Sequence, residues 1–309
     1  MNNQGSVCIV VVNYNGFEIS RDCIESLLKL DYPSYCIVFV DNGSSDKSGD
    51  EINDIYKDRI VYLPLPKNLG VTGGNNAGID YASQHGYEYV LFLNNDTVVD
   101  KTFLAKLIET SNKYNALVVP KIICFFDQSR LDHFIGTGID WWTSQPLDYK
   151  PYPLDRPEFN IRSEIKVAST CCLLVPIPVF SAIGKMDEEY FMYQDDSDFT
   201  LRATRAGYRM FYEPEAKIFH KCNTTTSNKQ PSYFEYYLQN RNLFYFYNKL
   251  CDKPVIKYLF FAKMLTRLFI SYLLALVKRN HDRRRIITVI LTDIATRTMG
   301  PVPNLGKSN

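Results

Sequence analysis

Through the first 115 residues, short apolar runs alternate with longer stretches whose apolar residues recur at helical spacing. Val7 to Val12, Cys36 to Val40, Ile60 to Leu63 and Tyr89 to Leu93 are the apolar runs. They are continuous and rich in β-branched and aromatic residues, as strands buried on both faces of a parallel or mixed sheet are. Helices are predicted at Ile19 to Leu30, Ser48 to Tyr56, Ala77 to His85 and Lys101 to Lys113. Four βα units in succession predict a doubly wound sheet. Residues 117 to 166, with Trp141-Trp142 and many prolines, are less regular and are expected to give strands and a long loop over the sheet edge. Beyond them the pattern predicts a buried strand at Val167 to Val175 and a helix from Asp196 to Ala206 with Gly207 as its stop. Two strands, Arg209 to Tyr212 and Ala216 to His220, and an aromatic-rich helix from Tyr233 to Tyr247 follow.

Polar residues cluster where these strands stop. Asn13 and Asn15 follow the first strand, Asp41 and Asp46 bound the loop after the second, Asn94-Asn95-Asp96 ends the fourth, and His220 ends the last. The C-terminal edge of an open α/β sheet is where ligands bind, although Asn and Asp also favour plain turns. The loop Asp41-Asn42-Gly43-Ser44-Ser45-Asp46 can accept from a base N–H or ribose hydroxyls, and it equally suits a turn with a helix N-cap. Lys67 to Gly78 holds four glycines and three amides, Asn68, Gly70, Gly74 and Asn76 among them, and is expected to offer backbone N–H groups to phosphate. It carries neither the Gly-Lys-Ser/Thr of a P-loop nor the spacing of a dinucleotide fingerprint. Asp195, Asp196 and Asp198 stand beside four aromatics. An acid at a helix N-terminus is also favoured by the dipole alone. Asp96 and His220 can ligate Mg²⁺ or Mn²⁺ and leave positions for diphosphate oxygens and water.

Composition changes the picture in two places. The eight cysteines, Cys222 among them, are scattered and form no C-x-x-C pair, as in reduced thiols of a cytosolic protein; the N-terminus has no basic region of a secretory signal. From Lys253 onward eleven basic residues face two acids, whereas the remainder is net acidic. Such a tail suits an anionic surface, phospholipid or nucleic acid. From Val255 to Val277 the polar residues Lys257, Lys263, Arg267, Ser271 and Lys278 fall on one arc of a helix, which predicts an interfacial helix or one packed on its own domain. Lys263 and Arg267, mid-segment, argue against a membrane span.

The motifs VVNYNG (11 to 16), DNGSSD (41 to 46), NLGVTGGNNAGI (68 to 79), LNNDT (93 to 97), MDEEYFMYQDDSDFTLRATRAGY (186 to 208), AKIFH (216 to 220) and QNRN (239 to 242) resemble, in order, the family 2 glycosyltransferases of the GT-A fold, in their bacterial rhamnosyltransferase-like branch. The resemblance implies a catalytic domain over 1–250, with a nucleotide-sugar half to about 115 and an acceptor half from 116, and a basic helical membrane-association region over 251–309. By that resemblance Asp41 contacts base and ribose, Asp96 is the last acid of a D-x-D element that has Asn94 at its first position, Asp196 is the catalytic base with Asp195 beside it, and His220 completes a metal shell. Asn13, Asn15, Asn68, Gly70, Gly74, Asn76 and Asn95 would join Asp41 and Asp96 around the nucleotide sugar. The implied reaction inverts the anomeric centre of a dTDP- or UDP-linked rhamnose or hexose and delivers it to a glycan or lipid-linked hydroxyl in cell-surface polysaccharide synthesis. A divalent metal, Mn²⁺ or Mg²⁺, is the implied cofactor. The expected partner is the anionic inner face of the cytoplasmic membrane rather than nucleic acid. The competing readings are a sugar nucleotidyltransferase, whose basic glycine-rich loop would follow the first strand where NYNGFE stands, and a membrane-bound protein that binds sugar nucleotides without catalysis.

Overall fold

The computed structural model describes residues 5–132, 134–147, 149–221 and 232–301; Cys222 and the chain end from 302, Lys307 included, lie outside them. Nine strands form one mixed sheet: β1 (Val7–Asn13), β2 (Tyr35–Asp41), β3 (Val61–Pro64), β4 (Tyr89–Asn94), β5 (Thr97–Val99), β6 (Ala116–Cys124), β7 (Ser163–Ile165), β8 (Cys172–Pro176) and β9 (Arg209–His220). Across the sheet they run β7, β9, β6, β8, β4, β1, β2, β3, with β5 paired to β9. The helices are α1 (Phe17–Leu27), α2 (Ser48–Tyr56), α3 (Gly70–Gln84), α4 (Phe103–Tyr114), α5 (Ile177–Ile183), α6 (Asp195–Arg205), α7 (Tyr233–Leu250), α8 (Pro254–Val277) and α9 (His281–Thr296).

Side chains alternate across a strand, so successive residues of β1 enter opposite cores. Val7, Ile9 and Val11 pack with Ile24, Phe39 and Leu104 on one face, and Cys8 and Val10 with Ile79, Phe92 and Phe199 on the other. β1, β2, β3, β4, β6 and β9 all point the same way, while β8 runs against both neighbours. The ends of β1, β2, β4 and β9 and the start of β8 therefore meet at one edge. There Asn13 lies opposite Asp41, Cys172 opposite Leu93 and His220 opposite Thr97.

Four expectations need correction. Ala116–Cys124, in the stretch expected to give strands and a long loop over the sheet edge, is a strand in the interior of the sheet, and every one of its residues is buried. The two strands expected at 209–212 and 216–220 are one strand, interrupted by a register shift between Glu213 and Lys217 opposite Pro120, where β6 has no N–H to offer. The single strand expected at 167–175 is broken: Val167–Ala168 pairs with Ile135–Gly136, residues 169–171 leave the sheet, and β8 begins at Cys172. The third helix starts at Gly70 rather than Ala77, so the glycine run is helix, not loop. A Cβ at Gly74 would stand 2.6 Å from Val12 Cγ1, and its absence lets α3 lie directly on β1.

The C-terminal helices are built into the body. Phe260 and Met264 of α8 join Tyr190, Phe246 and Tyr247 in one apolar cluster; Leu268, Ile286, Ile287 and Ile290 join Phe191 and Tyr237 in another. The stretch from 251 thus shares its cores with α7 and with the loop before α6.

Candidate active site

A cavity of about 550 Å³ opens at the sheet's C-terminal edge, lined by Asn42, Asn68, Gly70, Asn95, Asp96, Ser169 to Cys171, Tyr193, Asp195, Asp196 and His220 among others. The sequence-predicted residues divide into two groups around it. Asn68, Gly70, Asn95, Asp96, Asp195, Asp196 and His220 form its wall; Asn13, Asn15, Asp41, Gly74 and Asn76 do not line it.

The second group supports the first. The Asn13 amide donates to Asp41 Oδ1 (3.1 Å), Ser44 Oγ (3.1 Å) and Ser48 Oγ (2.9 Å), while its oxygen accepts from Ser20 (2.8 Å). Asn15 Oδ1 accepts from the Ser45 N–H at 2.8 Å. Asp41, 7 % exposed, accepts from the Ser44 hydroxyl at 2.5 Å and from Asn13. These residues fix the 41–48 loop as a unit. Gly74 serves the contact with β1. Asn76, expected at phosphate, donates to the Met186 carbonyl (2.9 Å) and Glu188 (2.8 Å) and accepts from the Met186 N–H (3.0 Å). With its amide so committed, Asn76 ties α3 to the segment ahead of α6.

Asn42, which the sequence offered only within the 41–46 loop, is nearly inaccessible, and it shapes the cavity floor. It donates to Asn68 Oδ1 (3.1 Å) and the Gly70 carbonyl (2.9 Å) and accepts from the Leu69 N–H (2.9 Å). Gly70 itself has φ +76°, and a Cβ there would meet the Phe191 carbonyl. Only glycine fits where the 67–70 turn touches the 190–194 loop.

That loop carries the acid pair. Phe191, Tyr193 and Gln194 all have φ between 64° and 69°, a region costly for side chains of this kind. Asn242 holds it by donating to the carbonyls of Tyr190 (3.0 Å), Met192 (2.7 Å) and Tyr193 (3.0 Å), and Arg241 donates to the Tyr190 carbonyl (3.3 Å) and the Gly300 carbonyl (2.9 Å). Asp195 and Asp196 then begin α6. Burial pushes both carboxyls up; the charge of Asp196 adds to the rise of Asp195, which reaches about 8, whereas Asp196 reaches about 6 and is held down by the Ser197 N–H at 2.7 Å. Burial and the charge of Asp196 thus favour the neutral form of Asp195. Asp198 has a different task, accepting from Tyr190 (3.1 Å) and Arg202 (2.5 Å) and pairing with Lys249 (2.7 Å).

The raised carboxyl gives a prediction. A carboxyl whose folded pKa lies above its unfolded value stabilises the fold fully below the unfolded value, and that contribution is lost as pH rises through the folded one. Asp195→Asn, which cannot ionise, is therefore expected to gain stability relative to wild type as pH rises from about 4 to about 8. Urea denaturation across that range checks it; a constant difference would remove the buried ionisation from Asp195.

On the opposite wall His220 Nε2 lies 3.0 Å from Asp96 Oδ1 and Nδ1 lies 2.8 Å from Asp132. Burial opposes charge on His220, but Cys171, Asp132 and Asp96 outweigh it and raise the imidazole well above its ordinary range. Asp96 Oδ1 is buried, with the His220 imidazole as its near neighbour. Adjacent ligands on an octahedral ion with bonds of about 2.1 Å stand about 3 Å apart, so the separation of this oxygen from Nε2 fits a divalent cation. Among the described residues no set of three His, Cys, Asp or Glu side chains gathers as a metal cage. Asp96 and His220 would supply two ligands to such an ion, with the Asp132 carboxylate, 2.8 Å from Nδ1, orienting the imidazole. Asp132 lay in the irregular stretch, where nothing in the local pattern marked it.

The family model described as "Glycosyl transferase family 2" matches residues 8–183, more than half of the chain. The chain belongs to glycosyltransferase family 2. It is 27% identical over 263 residues to the low-salt glycan biosynthesis hexosyltransferase Agl10 of Haloferax volcanii, covering 80% of this chain and 77% of that one. It is 25% identical over 215 residues to the dTDP-rhamnosyl transferase RfbF of Shigella flexneri, covering 70% and 69%. Among solved structures, GalNAc-T7 crystallised with UDP, GalNAc and Mn²⁺ superposes with a TM-score of 0.67 at 15% identity, over 96% of this glycosyltransferase and 59% of that chain. Staphylococcus aureus TarS 1-349 superposes with a TM-score of 0.56 at 16% identity, over 95% and 81%. The fold is GT-A, and the protein is a transferase that uses a nucleotide sugar and a glycan acceptor.

Proposed function

We propose that this enzyme transfers rhamnose or a hexose, with inversion, from a dTDP- or UDP-linked donor to a hydroxyl of a glycan or lipid-linked oligosaccharide in cell-surface polysaccharide synthesis. The observation that carries the reading is one cavity with the Asp195–Asp196 carboxyl pair on one wall and Asp96 Oδ1, 3.0 Å from His220 Nε2, on the other. Asp196 takes the proton of the acceptor hydroxyl, which its raised pKa permits near neutral pH. The upward push on the Asp195 carboxyl favours its neutral form and so limits the negative charge beside the base. Asn42, Asn68 and Gly70 hold the wall on which the nucleoside lies, with Asp41 fixing the loop beneath. Asp96 and His220 would hold Mn²⁺ or Mg²⁺, whose charge, when bound, neutralises the departing diphosphate. A thermal-shift panel of UDP, dTDP and GDP, each with Mn²⁺, tests the donor class. Ligand at a hundred times its dissociation constant adds about 2.7 kcal/mol of stability. A response to UDP or dTDP but not GDP is expected, and no response to any of the three would exclude the reading.

The proposed location is the cytoplasmic membrane surface, with α8 both packed on the body and exposing an apolar face. Its polar arc faces the body: Lys257 donates to the Asn248 carbonyl (3.3 Å), Lys263 to the Trp142 carbonyl (3.0 Å), Arg267 to Asn240 (2.6 Å), and Ser271 accepts from Arg283 (3.2 Å). Its outer face is apolar, with Val255 69%, Phe269 60% and Val277 82% exposed. By length and composition α8 is long and apolar enough to cross a bilayer, but the bonded polar arc favours lying along its surface. Exposed Lys253, Lys278 and Arg279 at the two ends of α8, and Arg285 on α9, suit anionic headgroups, at about 1 kcal/mol each. Liposome co-sedimentation is expected to be strong, weakened only partly by salt, and lost in the double variant Phe269→Glu, Leu273→Glu. Unchanged sedimentation of that variant would reject the bilayer as the partner of this face.

A further inference from the structure

A second cavity of about 480 Å³ adjoins the first and shares Tyr193 and Asp196 with it. Its wall is assembled from five parts of the chain: Phe134, the 143–145 turn, the Tyr193 to Asp196 stretch, the Tyr236 to Leu243 stretch of α7, and Arg267 of α8. Two features suit it to a ligand. The amide oxygen of Gln194 is buried within it and accepts no hydrogen bond, a cost that a ligand hydroxyl would relieve. Arg267 enters from α8, held to Asn240 by one NH₂ group at 2.6 Å, and its guanidinium has further donors for an oxyanion. Aromatic faces at Phe134, Tyr193 and Tyr236 supply apolar walls, as carbohydrate pyranose rings require.

We infer that this cavity is the acceptor subsite, and that it takes a saccharide joined through phosphate to a lipid, with its reacting hydroxyl toward Asp196 and its phosphate toward Arg267. The placement of α8 selects a lipid-borne acceptor. The helix lends Arg267 to the cavity from its inner arc while its apolar outer face stays open. A lipid chain leaving the phosphate next to Arg267 therefore has an apolar surface to follow. The helical region past residue 250 accordingly does more than attach the enzyme: it completes the site. The inference rests on the transferase reading above, and deepens it.

The test is calorimetric titration of the full chain with its donor cavity filled by UDP or dTDP and Mn²⁺. The probes are the 1-phosphates of glucose, galactose and N-acetylglucosamine, their methyl glycosides, and the same sugars linked through phosphate to an undecyl chain. At least one sugar phosphate is expected to bind at least tenfold more tightly than its methyl glycoside, the scale of a hydrogen bond to a charged group, and the undecyl form more tightly still. Arg267→Gln should remove the preference for phosphate. Gln239→Trp, which fills the mouth from an exposed position, should abolish binding of all probes, and nucleotide affinity should be unchanged in both variants. Binding that survives Gln239→Trp, or a phosphate preference that survives Arg267→Gln, would overturn the assignment, as would failure of every probe to bind. No gain from the undecyl chain would overturn its lipid part. If the nucleotide itself does not bind wild type, the functional reading fails; if it binds and no sugar phosphate does, only this inference fails.

Discussion

Asp196→Asn is expected to lose about 10²- to 10⁴-fold in kcat, the usual contribution of a positioned general base, while nucleotide affinity stays as in wild type. The amide keeps the shape of the carboxylate and can still accept from the Ser197 N–H, but it cannot take a proton. The pH profile separates this from a structural effect. Wild-type kcat/KM should fall on the acid side through a value near 6, where burial has moved Asp196, rather than near 4. In Asp195→Asn the neighbouring proton carrier is replaced by a neutral amide, so turnover should survive far better. Equal or reversed losses in the two variants would move the base to Asp195.

Asn242→Ala is expected to be the most destabilising change near the site, at about 3 kcal/mol, because it takes the side-chain donor from the Met192 and Tyr193 carbonyls and leaves that of Tyr190 to Arg241 and the Met192 N–H. These bonds are matched against strain of similar size. Three non-glycine residues at positive φ in four positions cost about 1 kcal/mol or more each, so the loop keeps its form only while Asn242 offsets that cost. With the loop released, Asp195 and Asp196 lose their placement, and kcat should fall together with stability. Urea denaturation and turnover measured on the same preparation check both; a loss under 0.5 kcal/mol with normal turnover would show that the loop holds itself.

Much of this was legible before the structure. The first four strands could be read because each is a continuous apolar run, and three of them stop at a polar residue, Asn13, Asp41 or Asn94. Ala116–Cys124 was hidden by Pro120 and Lys121 at its centre. Pro120 is tolerated where β9 bulges, and Lys121, 1% exposed, because its ammonium meets Asp155 at 2.9 Å and Asn160 at 2.6 Å. Both compensations are distant in sequence. For the same reason Asp132 and Asn242 could not be assigned from local pattern: their partners, His220 and the 190–193 carbonyls, lie 88 and about 50 positions away. The glycine run misled through a real ambiguity. Glycine permits close approach to a phosphate or to a strand, and at Gly74 the neighbour is Val12. The arc of α8 was located correctly by its period, but period alone does not say which side faces the protein.

Metal-dependent nucleotide binding, measured by calorimetry in wild type, Asp96→Ala and Asp196→Asn, tests the division of labour between the two walls most directly. Asp96 lies in a turn at the sheet edge, outside the apolar cores, so its loss should leave the fold intact. The account predicts that UDP or dTDP binds wild type only with Mn²⁺ or Mg²⁺, that Asp96→Ala weakens this at least tenfold, and that Asp196→Asn leaves it unchanged. Full affinity in Asp96→Ala, or its loss in Asp196→Asn, would contradict the account.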